Sequence, residues 1–147
     1  MKSELIDNRI IVWNIKDSQK LFTNGYYGKP IGIPKPKPNE VVFRVKAAAL
    51  NYNDIWGMRG NPIPVPLPHI SGSDAAGDVI AVGDEVTNIK VGDRVVSHSN
   101  MSCRVCTACT DGREYDCDKR TIWGFQTGPN WGAFSEVTHL PEVNVLK

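Results

Sequence analysis

A charge imbalance is the first thing this sequence lacks. Its 147 residues carry 17 Lys plus Arg against 16 Asp plus Glu, a net charge of +1. Without a positive field to seek phosphate, no nucleic acid is expected as a partner. A long apolar run is missing too. Nothing approaches the ~20 residues that a membrane helix needs, so no membrane partner is expected. The N-terminus contains Lys2, Glu4 and Asp7 and is too polar for a secretory signal. These absences predict a soluble, cytoplasmic chain. Internal repeats and low-complexity tracts are also absent, which leaves no sign of a solenoid or a flexible tail.

What is present suits a folded domain. Hydrophobic residues make up 41% and charged residues 22%, which excludes a disordered chain or a fibre. The length predicts one domain. Prolines cluster, four from Pro30 to Pro38 and four from Pro62 to Pro68. Proline locks φ and donates no hydrogen bond, so both stretches read as extended surface connectors. Between them, Val41, Phe43 and Val45 alternate with Val42, Arg44 and Lys46, the pattern of a half-buried strand. Arg9 to Ile15 and Leu21 to Tyr27 flank Asp17-Ser18-Gln19 as a hairpin. Asn53 to Arg59 reads as a short helix. Further strands are expected at Gly77 to Val82, Arg94 to His98, Gly132 to His139 and Val143 to Leu146, with a turn at Val91-Gly92-Asp93-Arg94. The sum is mainly β, an irregular barrel or sandwich.

All four cysteines fall in one segment: Cys103-x-x-Cys106-x-x-Cys109, then Cys117 after seven residues. Four thiolates at this spacing suit one tetrahedral Zn²⁺, with Gly112 helping the chain turn back. Two disulfides are the first rival, and a reducing cytoplasm disfavours them. An iron–sulfur cluster is the second. The bacterial ferredoxin run closes with a three-residue gap and a proline, whereas Asp118 follows Cys117 here. A four-thiolate site is closed, so the zinc would be structural. Arg104, Arg113, Lys119 and Arg120 are candidates to offset its negative charge.

Three longer stretches carry a family resemblance. They are Val45-Lys46-Ala47-Ala48-Ala49-Leu50-Asn51-Tyr52-Asn53-Asp54, Pro68-His69-Ile70-Ser71-Gly72-Ser73-Asp74-Ala75-Ala76-Gly77-Asp78-Val79, and Val82-Gly83-Asp84-Glu85-Val86 with Val91-Gly92-Asp93-Arg94-Val95. With the cysteine lobe they resemble the N-terminal, GroES-like domain of the medium-chain dehydrogenase/reductase superfamily, which includes zinc alcohol dehydrogenases and quinone and enoyl reductases. The resemblance implies a GroES-like irregular β-barrel over residues 1–147, with short helices and a structural-zinc lobe at about 100–120. It also implies NADP(H), a small-molecule substrate and a homo-oligomeric intact enzyme.

Alcohol-oxidising members place a Cys where Asn51 stands here, and His then Glu where Ser73 and Asp74 stand. The resemblance therefore implies no catalytic zinc, with His69, His98 and Asp74 as the only material for a substitute. It points instead to NADPH-dependent reduction of an activated C=C. By position, Asn51, Tyr52 and Trp56 are the substrate-binding candidates: Asn51 orients a carbonyl, Tyr52 donates a proton or hydrogen bond, and Trp56 forms an apolar wall. Asp54 is read as a structural hydrogen-bonding group. The stretch Ile122-Trp123-Gly124-Phe125, with Asn51 to Asn53 and Gly72 to Ala75, is similar to the crotonyl-CoA reductase branch. The alternatives are a zinc alcohol dehydrogenase domain and a non-catalytic zinc-stapled β module that only binds partners. No Gly-x-Gly-x-x-Gly run occurs, so the Rossmann domain that would hold the cofactor is expected outside this chain, and the isolated chain is expected to be inactive. An exposed apolar face is expected near Trp56, Met58 and the last strand.

Overall fold

β-Branched residues crowd Arg9–Ile15, and this segment forms strand β1. The computed structural model describes residues 9–15, 27–33, 35–59, 65, 69–127 and 132–147, with 9–15, 27–32 and Met58 as backbone alone. β1 pairs antiparallel with β2 (Tyr27–Gly32), placing Ile11 opposite Pro30. The expected hairpin is thus displaced. Residues 21–26 of its second arm lie outside the described residues, and the strand that pairs runs into the first proline cluster. Pro30 is tolerated because β2 is the edge of a three-stranded sheet, β1 being central and β4 (His69–Ile70) on the other side. Of the second proline stretch, only Val65 lies among the described residues.

The longest strand is β3 (Glu40–Ala49), flanked by β5 (Asp74–Val82) and β9 (Val137–Pro141). β6 (Arg94–Ser97) and β10 (Val145–Leu146) extend the sheet to five strands in the order β10-β6-β5-β3-β9. The first half of β3 is buried on both faces. Val41 and Phe43 enter the main core with Val79, Val95, Trp123 and Leu140, while Val42 packs with Ile70 and Val137 in a second cluster. The half-buried pattern read from the sequence therefore fails at Val42, because the curled sheet covers that face as well. Each large side chain buried here contributes about 1.5–3 kcal/mol. Bulges interrupt the β3–β5 register between Val42 and Phe43 and between Val45 and Ala47.

Among the described residues the result is mainly β, a curled half-barrel with two short helices, α1 (Tyr52–Arg59) and α2 (Thr107–Thr110). Two of the expected strands near the end are shorter than their sequence suggests. Gly132 to Glu136 precede β9 rather than belonging to it, and Glu142–Asn144 form a 3-10 turn before β10. Asn144 explains that turn. It is buried, and its Nδ2 donates to the carbonyls of His98 and Asn100, both at 2.8 Å. Those bonds fasten the neck of an excursion that leaves the barrel through β7 (Asn100–Met101) and returns through β8 (Thr121–Ile122).

A candidate metal centre and a capped helix beside it

The excursion is the cysteine segment, and it has no apolar core. Between residues 102 and 120 only Cys109 and Cys117 are buried. The four Sγ atoms lie within 4.8 Å of one another. Cys103 and Cys109 are 3.9 Å apart and Cys106 and Cys109 3.5 Å, with all four thiols free. A tetrahedron of sulfurs at ~2.3 Å from a zinc ion has edges of ~3.8 Å, so the donor set fits that ion. The loops are shaped for it. Cys103 and Cys106 donate their backbone N–H groups to the sulfurs of Cys117 and Cys103, both at 3.4 Å. Arg104 takes a left-handed φ of 61° to turn the chain between the first two ligands, and Gly112 takes 76° at the return.

The Cys103 thiol is brought down to about 6, first by the N–H of Val105 and then by that of Cys106. The Cys106 thiol goes the other way, to about 11. The N–H of Cys109 lowers it, but the thiols of Cys109 and Cys103 and burial outweigh that bond. Three of the four basic residues offered as counter-charges bond to groups other than sulfur. Arg104 pairs with Glu114, and Arg113 with Asp116 at 2.9 Å and Asp111 at 3.5 Å. Arg120 donates to the Tyr115 carbonyl at 2.9 Å. Carboxylates within ten residues thus take up Arg104 and Arg113, and a backbone carbonyl takes up Arg120.

Helix α1 begins with a reciprocal cap. Asn51 Oδ1 accepts from the Asn53 N–H at 3.2 Å, and Asp54 Oδ2 accepts from the Asn51 N–H at 2.8 Å. The buried Asp54 also accepts from Ser71 Oγ at 2.9 Å and the Gly72 N–H at 3.0 Å through Oδ1. One carboxylate thus bolts the helix to the loop between β4 and β5. Asn51 Nδ2 donates to Asp74 Oδ2 at 3.1 Å. Nothing in the sequence pattern signalled that pair; the register that sets Asp74 opposite Ala49 creates it. Tyr52 and Trp56 are not core residues. They are 59% and 38% exposed, one helical turn apart, with rings edge to face at 5.2 Å and 79°. Leu50, 84% exposed, stands next to them. Beside Asp74 a cleft of about 260 Å³ opens, lined by Ala47, Ala49, Asp74, Ala75, Val96 and Ser97.

Three buried polar atoms, His69 Nδ1, Ser73 Oγ and Trp123 Nε1, have no hydrogen-bond partner among the described residues. His69 Nε2–H donates to the Gly124 carbonyl at 3.0 Å, so the substitute ligand set does not form around it. Among the described residues only the four cysteines gather three or more ligand atoms.

A model of the alcohol dehydrogenase GroES-like domain matches residues 37–147. The chain belongs to that family. A tRNA intron endonuclease N-terminal domain model matches residues 1–59, but β3 and α1 in that range are built into the half-barrel just described. The GroES-like chain is 38% identical over 120 residues to a crotonyl-CoA carboxylase/reductase of Cereibacter sphaeroides, covering 78% of this chain and 27% of that protein. It is 35% identical over 117 residues to an L-threonine 3-dehydrogenase of Caldanaerobacter subterraneus subsp. tengcongensis, covering 77% and 33%. The fold of an NAD-dependent alcohol dehydrogenase superposes with a TM-score of 0.80 at 34% identity, over 94% of this chain and 38% of that one. A crotonyl-CoA carboxylase/reductase structure gives 0.81 at 28%, over 96% and 34%. The GroES-like chain therefore spans about a third of the length of the relatives it matches. No helix among the described residues is long and apolar enough to cross a membrane.

The domain also carries a built-in acid response. His69 and His139 are held below the ordinary 6.5, burial being the largest cause in each. For His69 the Gly124 carbonyl and Asp54 pull upward; for His139 Glu40 does so, at 3.3 Å. The unfolded chain therefore binds more protons than the folded one below the ordinary value. Stability is full above about pH 6.5 and falls as pH drops toward the folded values. Glu40 adds a second loss at lower pH. Burial raises it, but the N–H and ammonium of Lys37, with His139, outweigh burial and set it below 4.5. Urea midpoints should decline as the pH is lowered from about 7.5 to about 5, and a midpoint that stays level over that range contradicts the assignment.

Proposed function

We propose that this chain is the substrate-side half of a zinc-stapled, NADPH-dependent reductase that acts on an activated C=C, such as an enone, a quinone or an enoyl thioester. The observation that carries this reading is the Asn51–Asp74 hydrogen bond at 3.1 Å. By resemblance to alcohol-oxidising relatives, a catalytic zinc would be held by thiolate and imidazole at the places of Asn51 and Ser73. Here Asn51 is a neutral amide whose oxygen caps α1, and Ser73 is buried under the loop. These side chains do not fit a catalytic zinc. The similarity to crotonyl-CoA carboxylase/reductase supports the same direction.

Cys103, Cys106, Cys109 and Cys117 would hold the structural zinc, which supplies a cross-link and no reactive position. When bound, NADPH supplies the hydride, and its site lies mainly outside this chain. The residues of this chain do the rest. Asn51 holds the substrate carbonyl through an amide N–H, where negative charge develops. Tyr52 presents a hydroxyl that can deliver a proton next to it. Trp56 and Tyr52 together make an apolar wall that excludes water. In a cytoplasmic setting the thiols stay reduced.

Incubating the full-length polypeptide with NADPH and a panel of activated alkenes tests this. NADPH oxidation that depends on the alkene is expected, with none from the 147-residue chain alone. Oxidation of an alcohol with NAD, in a preparation holding two zinc ions per chain, would establish the dehydrogenase reading instead.

A further inference from the structure

Resting on the reading of Asn51 as the carbonyl ligand, we propose that Asp74 is a positioning residue that fixes which end of the Asn51 amide faces substrate. The two ends of an amide have the same shape, so only their partners tell them apart. Asn51 Oδ1 meets a group that can only donate, the Asn53 N–H at 3.2 Å. Asn51 Nδ2 meets a group that, ionised, can only accept, Asp74 Oδ2 at 3.1 Å. Both contacts demand the same orientation. The main chain of Asn51 is occupied as well, its N–H by Asp54 Oδ2 at 2.8 Å and its carbonyl by the Asp54 N–H at 3.0 Å. A single donor of this residue is left over, the second N–H on Nδ2.

Asp74, the partner of that Nδ2, lines the cleft of about 260 Å³, whose walls are mostly alanine and valine methyls. Ser97, the other polar group there, already accepts the Ala75 N–H at 2.9 Å. The site therefore offers one N–H near an apolar wall, with the Asp74 carboxylate in that wall beside the amide. Such an arrangement suits an uncharged carbonyl, as in a ketone or a thioester. It rejects a free carboxylate, which Asp74 would repel. If Asp74 is replaced by a group that can donate, only the Asn53 N–H still holds the orientation, and in part of the molecules the amide turns its oxygen outward and the carbonyl loses its partner.

Two experiments separate this from a merely structural role. In the full-length enzyme, Asn51→Ser keeps a capping hydroxyl but removes the amide donor. It should lower kcat by about 100-fold, the size of losing one oxyanion donor. Asp74→Asn should lower kcat by about tenfold with KM nearly unchanged, and Asp74→Glu should restore most of it. Adding Asp74→Asn to Asn51→Ser should cost nothing further, because both act through one amide. A full additive loss, or full activity in Asp74→Asn, overturns the proposal. In the 147-residue chain, the two side-chain amide protons of Asn51 should resonate far apart and move together in Asp74→Asn. Unchanged resonances overturn the proposal without reference to turnover. If they do move while the full-length protein reduces no carbonyl-activated alkene, the orienting role stands and the functional reading fails.

Discussion

Replacing Cys109 by serine should unfold residues 102–120 while leaving the barrel intact. Cys109 and Cys117 are the only buried residues in that span, so a metal held by the four sulfurs would stand in for the missing apolar core. Binding of a structural zinc is worth on the order of 10 kcal/mol, more than so short a segment could gain from its exposed ion pairs. The unfolding should stop at the neck. There β7 pairs with β8, and Asn144 holds the carbonyls of His98 and Asn100 from inside the barrel. Amide hydrogen exchange reads both halves of this expectation. Amides between 102 and 120 should exchange freely in the variant, while those of β3 and β5 keep their protection. A lobe that stays protected in Cys109→Ser would show that something other than the metal holds it together.

The second large effect is expected at Asp54. Its buried carboxylate accepts from the Asn51 N–H, Ser71 Oγ and the Gly72 N–H. Asp54→Ala would strip the cap from α1 and leave buried donors on the Ser71–Gly72 loop unpaired. Hydrogen bonds to a charged group contribute about 1.5–3 kcal/mol each, and they are not fully additive. A loss of about 4 kcal/mol is therefore expected, with Asp54→Asn near half of it because one amide oxygen can still accept. Urea unfolding measures both. A loss under about 1 kcal/mol for Asp54→Ala would mean that the loop finds other partners.

The fold class and the cysteine cluster were legible in the sequence because each rests on a local signal. Alternation marked β3, and tight spacing marked the thiols. Long-range register left no such mark. The pairing of β1 with Tyr27–Gly32 depends on Pro30 lying at a sheet edge, which only the assembled sheet defines. Burial of Val42 depends on the second cluster with Ile70 and Val137. The positions of Asn51, Tyr52 and Trp56 were chosen by resemblance. Their present surroundings, an amide locked between Asn53 and Asp74 and two aromatic rings standing in solvent, come from geometry that no short motif spells out. For Arg104 and Arg113, nearness to the thiols in sequence said nothing of Glu114, Asp111 and Asp116, with which they pair. Near the expected apolar face, Leu50, Tyr52, Trp56 and Leu146 are each exposed; the Met58 side chain lies outside the described residues.

Elemental analysis of the purified, reduced polypeptide, combined with thiol titration, reaches furthest into these claims. One zinc per chain is expected, with all four cysteines shielded from a thiol reagent until a chelator removes the ion. Iron in its place, thiols that react at once with no metal bound, or sulfurs joined in disulfides would contradict the zinc-held lobe on which the reading of this chain is built.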